Sequence, residues 1–151
     1  FLVNLFSNIF HLRSHPVFRA VILTTVLFVC VHNAARSQMA EAFFNKFIGR
    51  KHRGVSAGSQ PAERVNPNAV NAMAEVGIDI SGAKPKMLTA ELVEEADIVV
   101  TMGCGENVCP IVPKEVIEWD IEDPSGKTLK EVRDIRERIR EKVLRLLEGI
   151  D

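Results

Sequence analysis

Two spacings of hydrophobic residues alternate along the chain. Val26–Val29 is a continuous apolar run with the length of a strand, as expected for a parallel strand buried on both faces. The stretch from Ser37 to Ile48 places apolar residues at helical spacing, and Gly49 follows as a helix stop. A strand, a loop and a helix are therefore predicted over this part of the chain.

The rest of the chain continues the alternation. Further strands are predicted at Val55–Gly58, Asp97–Met102 and Val116–Trp119. Further helices are predicted after the capping residue Asn66, after Thr89, and from Leu129 to Gly149. This order indicates an α/β fold, a three-layer sandwich in which helices flank a central four-stranded parallel sheet. Ligands of such sheets bind beyond the carboxyl ends of the strands, where the loop after the first strand lies.

Length and N-terminal composition predict the domain organisation. A chain of 151 residues forms one domain. We expect it to occupy residues 24–151, after a poorly packed N-terminal extension over residues 1–23. In that extension the apolar residues precede the basic ones, the reverse of a secretory signal. The later apolar run Ala20–Val31 is too short for a membrane span, and peripheral membrane attachment of the extension is the less favoured interpretation.

Charge and cysteine content exclude several classes of protein. A net charge of −1 lacks the basic footprint of a nucleic-acid binder. The three cysteines, Cys30, Cys104 and Cys109, are too few for a disulfide framework and lack the paired spacing of a closed zinc site. Free thiols favour a reducing compartment, so we expect a cytoplasmic protein, and we expect a monomer.

The loop after the first strand carries the chemistry. Cys30 and Arg36 are separated by five residues between a strand and a helix. Such a loop can turn its backbone N–H groups inward, and the following helix adds its positive end, which makes a cradle for a tetrahedral oxyanion. The residues predicted to bind the anion are Val31, His32, Asn33, Ala34, Ala35, Arg36 and Ser37. The same positive field favours the thiolate of Cys30, which is the predicted nucleophile.

Three residues of the loop have two interpretations each. Ser37 is either a hydrogen-bond donor to the thiolate or a helix cap. Asn33 either fixes the loop through its side chain or occupies a left-handed turn position. His32 is favoured as a residue that contributes its backbone to the cradle, with an acid/base role as the second interpretation.

Residues 26–42, with Cys30–Ser37 followed by Gln-Met-Ala-Glu, resemble the low-molecular-weight protein tyrosine phosphatase superfamily and, within it, the thioredoxin-coupled arsenate reductases. The resemblance runs from about Thr24 to the C-terminus and implies the sheet order 2-1-3-4. Phosphatases of this group usually carry proline soon after the Arg-Ser pair and a tyrosine near their acid. This chain has Gln38 and no tyrosine, whereas Met102–Pro110 resembles the redox segment of the reductases.

The resemblance implies a mechanism. Cys30 would attack arsenate while Asp123, in an Asp-Pro pair similar to the family's acid loop, protonates the departing oxygen. Cys104 would attack the sulfur of Cys30 and expel arsenite, and Cys109 would then take over Cys104 and present a disulfide to thioredoxin. The electron count agrees, because two thiols that become one disulfide supply the two electrons that arsenate needs.

The spacing of the last two cysteines adds a constraint. On a continuous helix, Cys104 and Cys109 would have α-carbons about 8 to 9 Å apart, whereas a disulfide requires about 4.4 to 6.8 Å. The segment must therefore be looped when reduced, or lose helical form on oxidation. A helix in this segment would be destabilised by Gly103, Gly105 and Pro110.

The sequence also indicates a cation site and two rival functions. Positions that bind a monovalent cation in some of these reductases correspond to Asn33, Glu41, Ser56 and Asp79, although Glu41 is also interpretable as a surface carboxylate. Asp123 is also interpretable as an ordinary turn residue. A phosphatase using Cys30, Arg36 and Asp123 is the main rival function, and a non-catalytic oxyanion-binding or redox-sensing module is the rival from another class. Phosphate and sulfate are expected to mimic arsenate, and glutaredoxin is the rival electron donor.

Overall fold

A computed structural model of the protein describes residues 24–48, 52–103 and 115–150. Four strands form one sheet: β1 (Thr24–Cys30), β2 (His52–Gly58), β3 (Ile98–Met102) and β4 (Glu115–Trp119). The strand order is β2-β1-β3-β4, and every neighbouring pair is parallel. The predicted parallel sheet and its order are confirmed.

Four helices cover the sheet: α1 (Arg36–Ile48), α2 (Pro67–Ala74), α3 (Ala90–Glu95) and α4 (Leu129–Ile150). Asn66 caps α2 as predicted, because its side chain accepts from the N–H groups of Asn68 and Ala69. After Ala74 the chain closes with tighter turns up to Gly77, whose φ is +78°.

β2 begins earlier than the apolar pattern predicted, at His52 rather than Val55. The added residues are polar or glycine, so they carry no apolar signal. Pairing with β1 extends the strand, since the register runs from Thr24 opposite His52 to Cys30 opposite Gly58. Interstrand hydrogen bonds therefore outweigh local β-propensity at this sheet edge.

The hydrophobic core lies on both faces of β1. Val26 and Phe28 pack toward α1 and α4, while Leu27 and Val29 pack toward the α3 side. All four side chains are at most 1% exposed. Burial on both faces explains why β1 is a continuous apolar run, and it makes the loop after β1 start from a rigid base.

An ionic cluster joins α2 to α4. Arg136, which is 9% exposed, donates to the carbonyl of Ala72 at 2.8 Å and to Glu75 at 3.1 Å. Arg133 donates to both carboxylate oxygens of Glu75. These contacts, led by the hydrogen bond from Arg133, lower the pKa of Glu75. The cluster holds α2 in place, and with it the segment that borders the site described below.

Within the described ranges, no helix combines the length and the apolar character that a membrane crossing needs. The extension at residues 1–23 and the predicted helix stop at Gly49 lie outside the described residues. The division of the chain at residues 23 and 24 stays a prediction.

Candidate active site

The segment between β1 and α1, residues 30–37, forms a tight loop that we call the anion loop. It turns at Asn33, whose φ of +48° lies in the left-handed region that asparagine tolerates. The turn directs the N–H of Asn33 toward the sulfur of Cys30 at 3.3 Å. Cys30 itself is 2% exposed, so its sulfur lies at the base of the loop.

The carbonyl groups of the anion loop are turned away from its centre. Those of Cys30, Val31, His32 and Ala34 accept hydrogen bonds from backbone N–H groups of residues 59–66, which we call the support segment. In a trans peptide the N–H points opposite to the carbonyl, so the N–H groups of the loop face the other way. This is the arrangement that binds an oxyanion.

Asn33 is the structural centre of the loop. Its Nδ2 donates to Ser37 Oγ at 2.7 Å and to Ser56 Oγ at 2.9 Å. Its Oδ1 accepts from Gln38 Nε2 at 3.0 Å and from the backbone N–H of Lys86 at 2.9 Å. Both interpretations of Asn33 are therefore correct, since the residue holds a left-handed turn and fixes the loop through its side chain.

Ser37 lies within the first turn of α1, and its hydroxyl group contacts Cys30 rather than capping the helix. Its Oγ is 2.9 Å from Cys30 Sγ. Ser37 Oγ accepts from Asn33 and keeps its own proton, so the hydroxyl group can donate to the sulfur when Cys30 is a thiolate. The hydroxyl is thus placed to stabilise a thiolate, as one of the two sequence interpretations predicted.

The guanidinium of Arg36 is held by contacts with residues outside the anion loop. Only 5% of Arg36 is exposed, and its Nη1 donates to the carbonyl of Ile121 at 3.1 Å. Its Nη2 is 3.7 Å from Asp123 Oδ2. A Cβ atom on Gly103, whose φ is +66°, would lie 2.5 Å from Nη1. Ile121 and Gly103 thus position the guanidinium without contributing a side chain.

Asp123 makes the turn contact considered from the sequence, and its side chain also lies beside the cavity, while its acid role stays a prediction. Its Oδ1 accepts the backbone N–H of Ser125 at 2.9 Å, which is a turn contact. Its side chain is 45% exposed and borders the same cavity as Cys30. The turn therefore presents the carboxyl group to the site.

A cavity of about 260 Å³ opens beside the anion loop. Besides the predicted residues, it is lined by Ala62, Arg64, Val65, Asn66, Pro67 and Ser125. Sequence reasoning missed these residues, although most of them follow β2, and the carboxyl ends of neighbouring parallel strands meet at one edge of the sheet. Arg64 adds an exposed positive charge to the cavity wall.

The side chain of His32 is exposed, and its ring is tied to the support segment. Its Nδ1 lies 3.0 Å from the carbonyl of Gln60, which can only accept, so Nδ1 is the donor. This contact fits the predicted structural role of His32 in shaping the loop.

The residues considered for a monovalent cation are only partly brought together. Asn33, Ser56 and Glu41 form one hydrogen-bonded series. Asp79 borders a shallow cavity with Glu41, but its Oδ1 accepts the N–H of Ser81 at 2.8 Å. The hydrogen bonds from Ser81 lower the pKa of Asp79. Within the ranges that the structure describes, no cluster of three or more acidic, histidine or cysteine side chains could hold a metal ion.

Two of the predicted catalytic residues, Cys104 and Cys109, lie outside the described residues. The last residue described before them is Gly103, which lies against the guanidinium of Arg36.

The chain is similar to proteins of known family. The sequence model described as "Low molecular weight phosphotyrosine protein phosphatase" matches residues 25–151. An arsenate reductase of Bacillus cereus (strain 03BB102) is 41% identical over 127 residues, which cover 82% of this chain and 94% of that protein. A thioredoxin-dependent arsenate reductase of Corynebacterium glutamicum has a TM-score of 0.75 at 39% identity, and the match covers 87% of this chain but only 63% of that one. A structure described as an arsenate reductase in the phosphate binding state has a TM-score of 0.78 at 36% identity, with 85% of this chain and 100% of that chain covered.

Fold and site together define an α/β enzyme with a cysteine at the base of an oxyanion-binding loop. The chain belongs to the low-molecular-weight phosphotyrosine protein phosphatase family, and its similarity to the arsenate reductases within that family, which its sequence indicated, is confirmed.

Proposed function

We propose that this enzyme reduces arsenate to arsenite, with Cys30 as the nucleophile and thioredoxin as the electron donor. The observation that carries the proposal is the buried Cys30 sulfur, which receives an N–H from Asn33 and faces the Ser37 hydroxyl. The similarity to arsenate reductases of bacteria supports arsenate as the substrate. The similarity to a thioredoxin-dependent reductase supports the donor.

The first step forms a sulfur–arsenic bond. The N–H groups of the anion loop and the guanidinium of Arg36 bind the arsenate oxygens, which brings arsenic over the sulfur of Cys30. The Cys30 thiolate attacks arsenic, and one oxygen leaves as water after accepting a proton from Asp123. Arsenic is still pentavalent in this adduct.

The second step transfers two electrons. The Cys104 thiolate attacks the sulfur of Cys30, the electron pair of the sulfur–arsenic bond passes to arsenic, and arsenite leaves as a Cys30–Cys104 disulfide forms. The Cys109 thiolate then attacks Cys104 and releases Cys30 as a thiolate. Thioredoxin reduces the resulting Cys104–Cys109 disulfide and returns the enzyme to its starting state. The position of Gly103 supports this assignment. Gly103 precedes Cys104 in the sequence, and it lies against the guanidinium of Arg36.

The test is arsenite formation with thioredoxin, thioredoxin reductase and NADPH, compared with glutathione and glutaredoxin. We expect turnover with the thioredoxin system and little with glutaredoxin. Cys30→Ser should abolish arsenite formation. Cys104→Ser should form the adduct on Cys30 but release no arsenite. Cys109→Ser should release arsenite once and then stop. Sustained turnover of the Cys104→Ser and Cys109→Ser enzymes with thioredoxin would show that the relay is wrong.

Hydrolysis of phosphate esters is a second candidate function. The family carries the name of a phosphotyrosine phosphatase, and the site holds Cys30, Arg36 and Asp123 around one cavity. These residues suffice for a phosphocysteine intermediate, and Cys104 and Cys109 have no part in it. If an aryl phosphate is hydrolysed efficiently by the Cys104→Ser/Cys109→Ser enzyme while arsenite formation is absent, this second function is the correct one.

A further inference from the structure

A series of polar contacts leads from the anion loop to the surface beside it. Asn33 Nδ2 donates to Ser56 Oγ at 2.9 Å, and Ser56 Oγ in turn donates to Glu41 Oε2. The ammonium nitrogen of Lys86 lies 3.7 Å from the same carboxylate oxygen. The series therefore ends at a positive charge that belongs to the chain itself.

The backbone of Lys86 is held against the loop from two sides. Its N–H donates to Asn33 Oδ1 at 2.9 Å, and its carbonyl accepts the N–H of Gly58 at 2.8 Å. Gly58 ends β2 and approaches the loop so closely that a Cβ atom there would lie 2.7 Å from the carbonyl oxygen of Val31. The start of the Lys86 side chain is thus fixed relative to both Asn33 and the sheet, on the side of the loop where the ammonium meets Glu41.

The oxygens expected to bind a monovalent cation already have other partners. Asn33 Oδ1 accepts two N–H groups, which uses both of its lone pairs. Ser56 Oγ accepts from Asn33 and donates to Glu41, and Glu41 Oε2 also faces Lys86. Hard cations require several available oxygen ligands. The residues present therefore do not fit a bound metal cation. They do fit a cation that a side chain of the protein supplies, here the ammonium group of Lys86.

We propose that the Lys86 ammonium is the resident cation of this network and that Lys86 is a positioning residue for the anion loop. It neutralises and orients the Glu41 carboxylate, which receives the hydroxyl proton of Ser56. Ser56 Oγ is then turned to accept from Asn33, and Asn33 stays in the left-handed conformation that directs its N–H to Cys30. The inference rests on the proposed function only in that the anion loop binds an oxyanion.

The proposal predicts that the enzyme needs no added potassium and that removal of the Lys86 charge weakens arsenate binding whether or not potassium is present. The test compares the wild type with Lys86→Gln, with the charge-conserving Lys86→Arg, and with Lys46→Gln. Lys46 is an exposed lysine further along the same helix as Glu41, so its substitution is a matched loss of charge. Thermal unfolding midpoints and arsenate binding by calorimetry are measured in KCl and in choline chloride at about 0.1 M, where charges are screened over about 10 Å.

We expect the wild type, Lys86→Arg and Lys46→Gln proteins to give the same midpoint and the same affinity in both salts. Lys86→Gln should bind arsenate about twofold to fivefold more weakly in both salts, the range for a partly exposed ion pair. Its midpoint should fall below that of Lys46→Gln, and potassium should restore neither value, because Asn33 Oδ1 and Ser56 Oγ keep their partners in this variant.

Two results would overturn the proposal: a wild-type midpoint or affinity that rises in potassium, or a Lys86→Gln protein that behaves in both salts like Lys46→Gln. Absence of arsenate binding in every protein would count against the proposed function instead. The midpoint of Lys86→Gln, compared with that of Lys46→Gln, would then still decide the role of Lys86.

Discussion

Gly103 approaches Arg36 so closely that a Cβ atom on Gly103 would lie 2.5 Å from Arg36 Nη1. The glycine directly follows β3, and the arginine begins α1. A φ of +66° also disfavours any side chain at this position, so the absence of a side chain at Gly103 leaves room for the guanidinium. Arg36 belongs to the anion loop, but its guanidinium lies against the residue that follows β3.

Gly103→Ala is expected to impair oxyanion binding more than stability. The added methyl group must displace the guanidinium from its contact with the Ile121 carbonyl, so KM for arsenate should rise about tenfold or more, as for loss of a charge-assisted contact. The backbone strain alone should cost about 1 kcal/mol.

The control for this substitution is Gly77→Ala. Gly77 also has a positive φ, +78°, but no atom lies within 4 Å of a Cβ built there. Urea unfolding should show a similar loss of stability for both variants, and steady-state kinetics should show the change in KM only for Gly103→Ala. An unchanged KM in Gly103→Ala would mean that Arg36 does not hold the substrate.

Ser37→Ala is expected to slow the reaction without unfolding the protein. The substitution removes the hydroxyl that faces the Cys30 sulfur, and hydrogen bonds to charged groups are worth about 1.5 to 3 kcal/mol. The rate of single-turnover arsenite release should therefore fall about tenfold or more. Ser59→Ala is the matched control, because its hydroxyl finds no hydrogen-bond partner among the described residues. Equal rates for the two variants would contradict the role given to Ser37.

Arg64→Ala is expected to weaken substrate capture and leave the chemical step intact. Arg64 lines the cavity but is exposed, and it is not among the residues that surround the Cys30 sulfur. An exposed charge is worth about 0.2 to 1 kcal/mol, so kcat/KM should fall by about twofold to fivefold with kcat nearly unchanged. The effect should shrink as the salt concentration rises. A fall confined to kcat would instead place Arg64 in the chemical step.

The cluster of Glu75 with Arg133 and Arg136 predicts a pH-dependent stability. The pKa of Glu75 is lowered in the folded protein from its ordinary value of 4.5, so its contribution is fully present above pH 4.5 and is lost as the pH falls below it. Urea midpoints of the wild type and Glu75→Gln should differ most near neutral pH and converge in acid. Glu91→Gln, an exposed change on α3, should track the wild type throughout. A difference that grows in acid would contradict this assignment.

Much of the fold was predictable because its signals are local. The apolar run of β1, the cap at Asn66 and the periodicity of α4 each lie within a few neighbouring residues, and the structure places an element at each. The early start of β2 was not predictable in this way, because polar residues and a glycine become strand only through pairing with β1.

The sequence by itself determined the identity of the chemistry: a cysteine and an arginine at the spacing of an oxyanion-binding loop, between a buried strand and a helix. Only the tertiary structure decided how that loop is held. Arg36 is fixed by the backbone of Ile121 and by the bare Cα of Gly103, and Asn33 is fixed by residues as distant as Lys86. A backbone carbonyl or a missing side chain leaves no chemical signature in the sequence. Such contacts become visible only when the fold brings remote segments together.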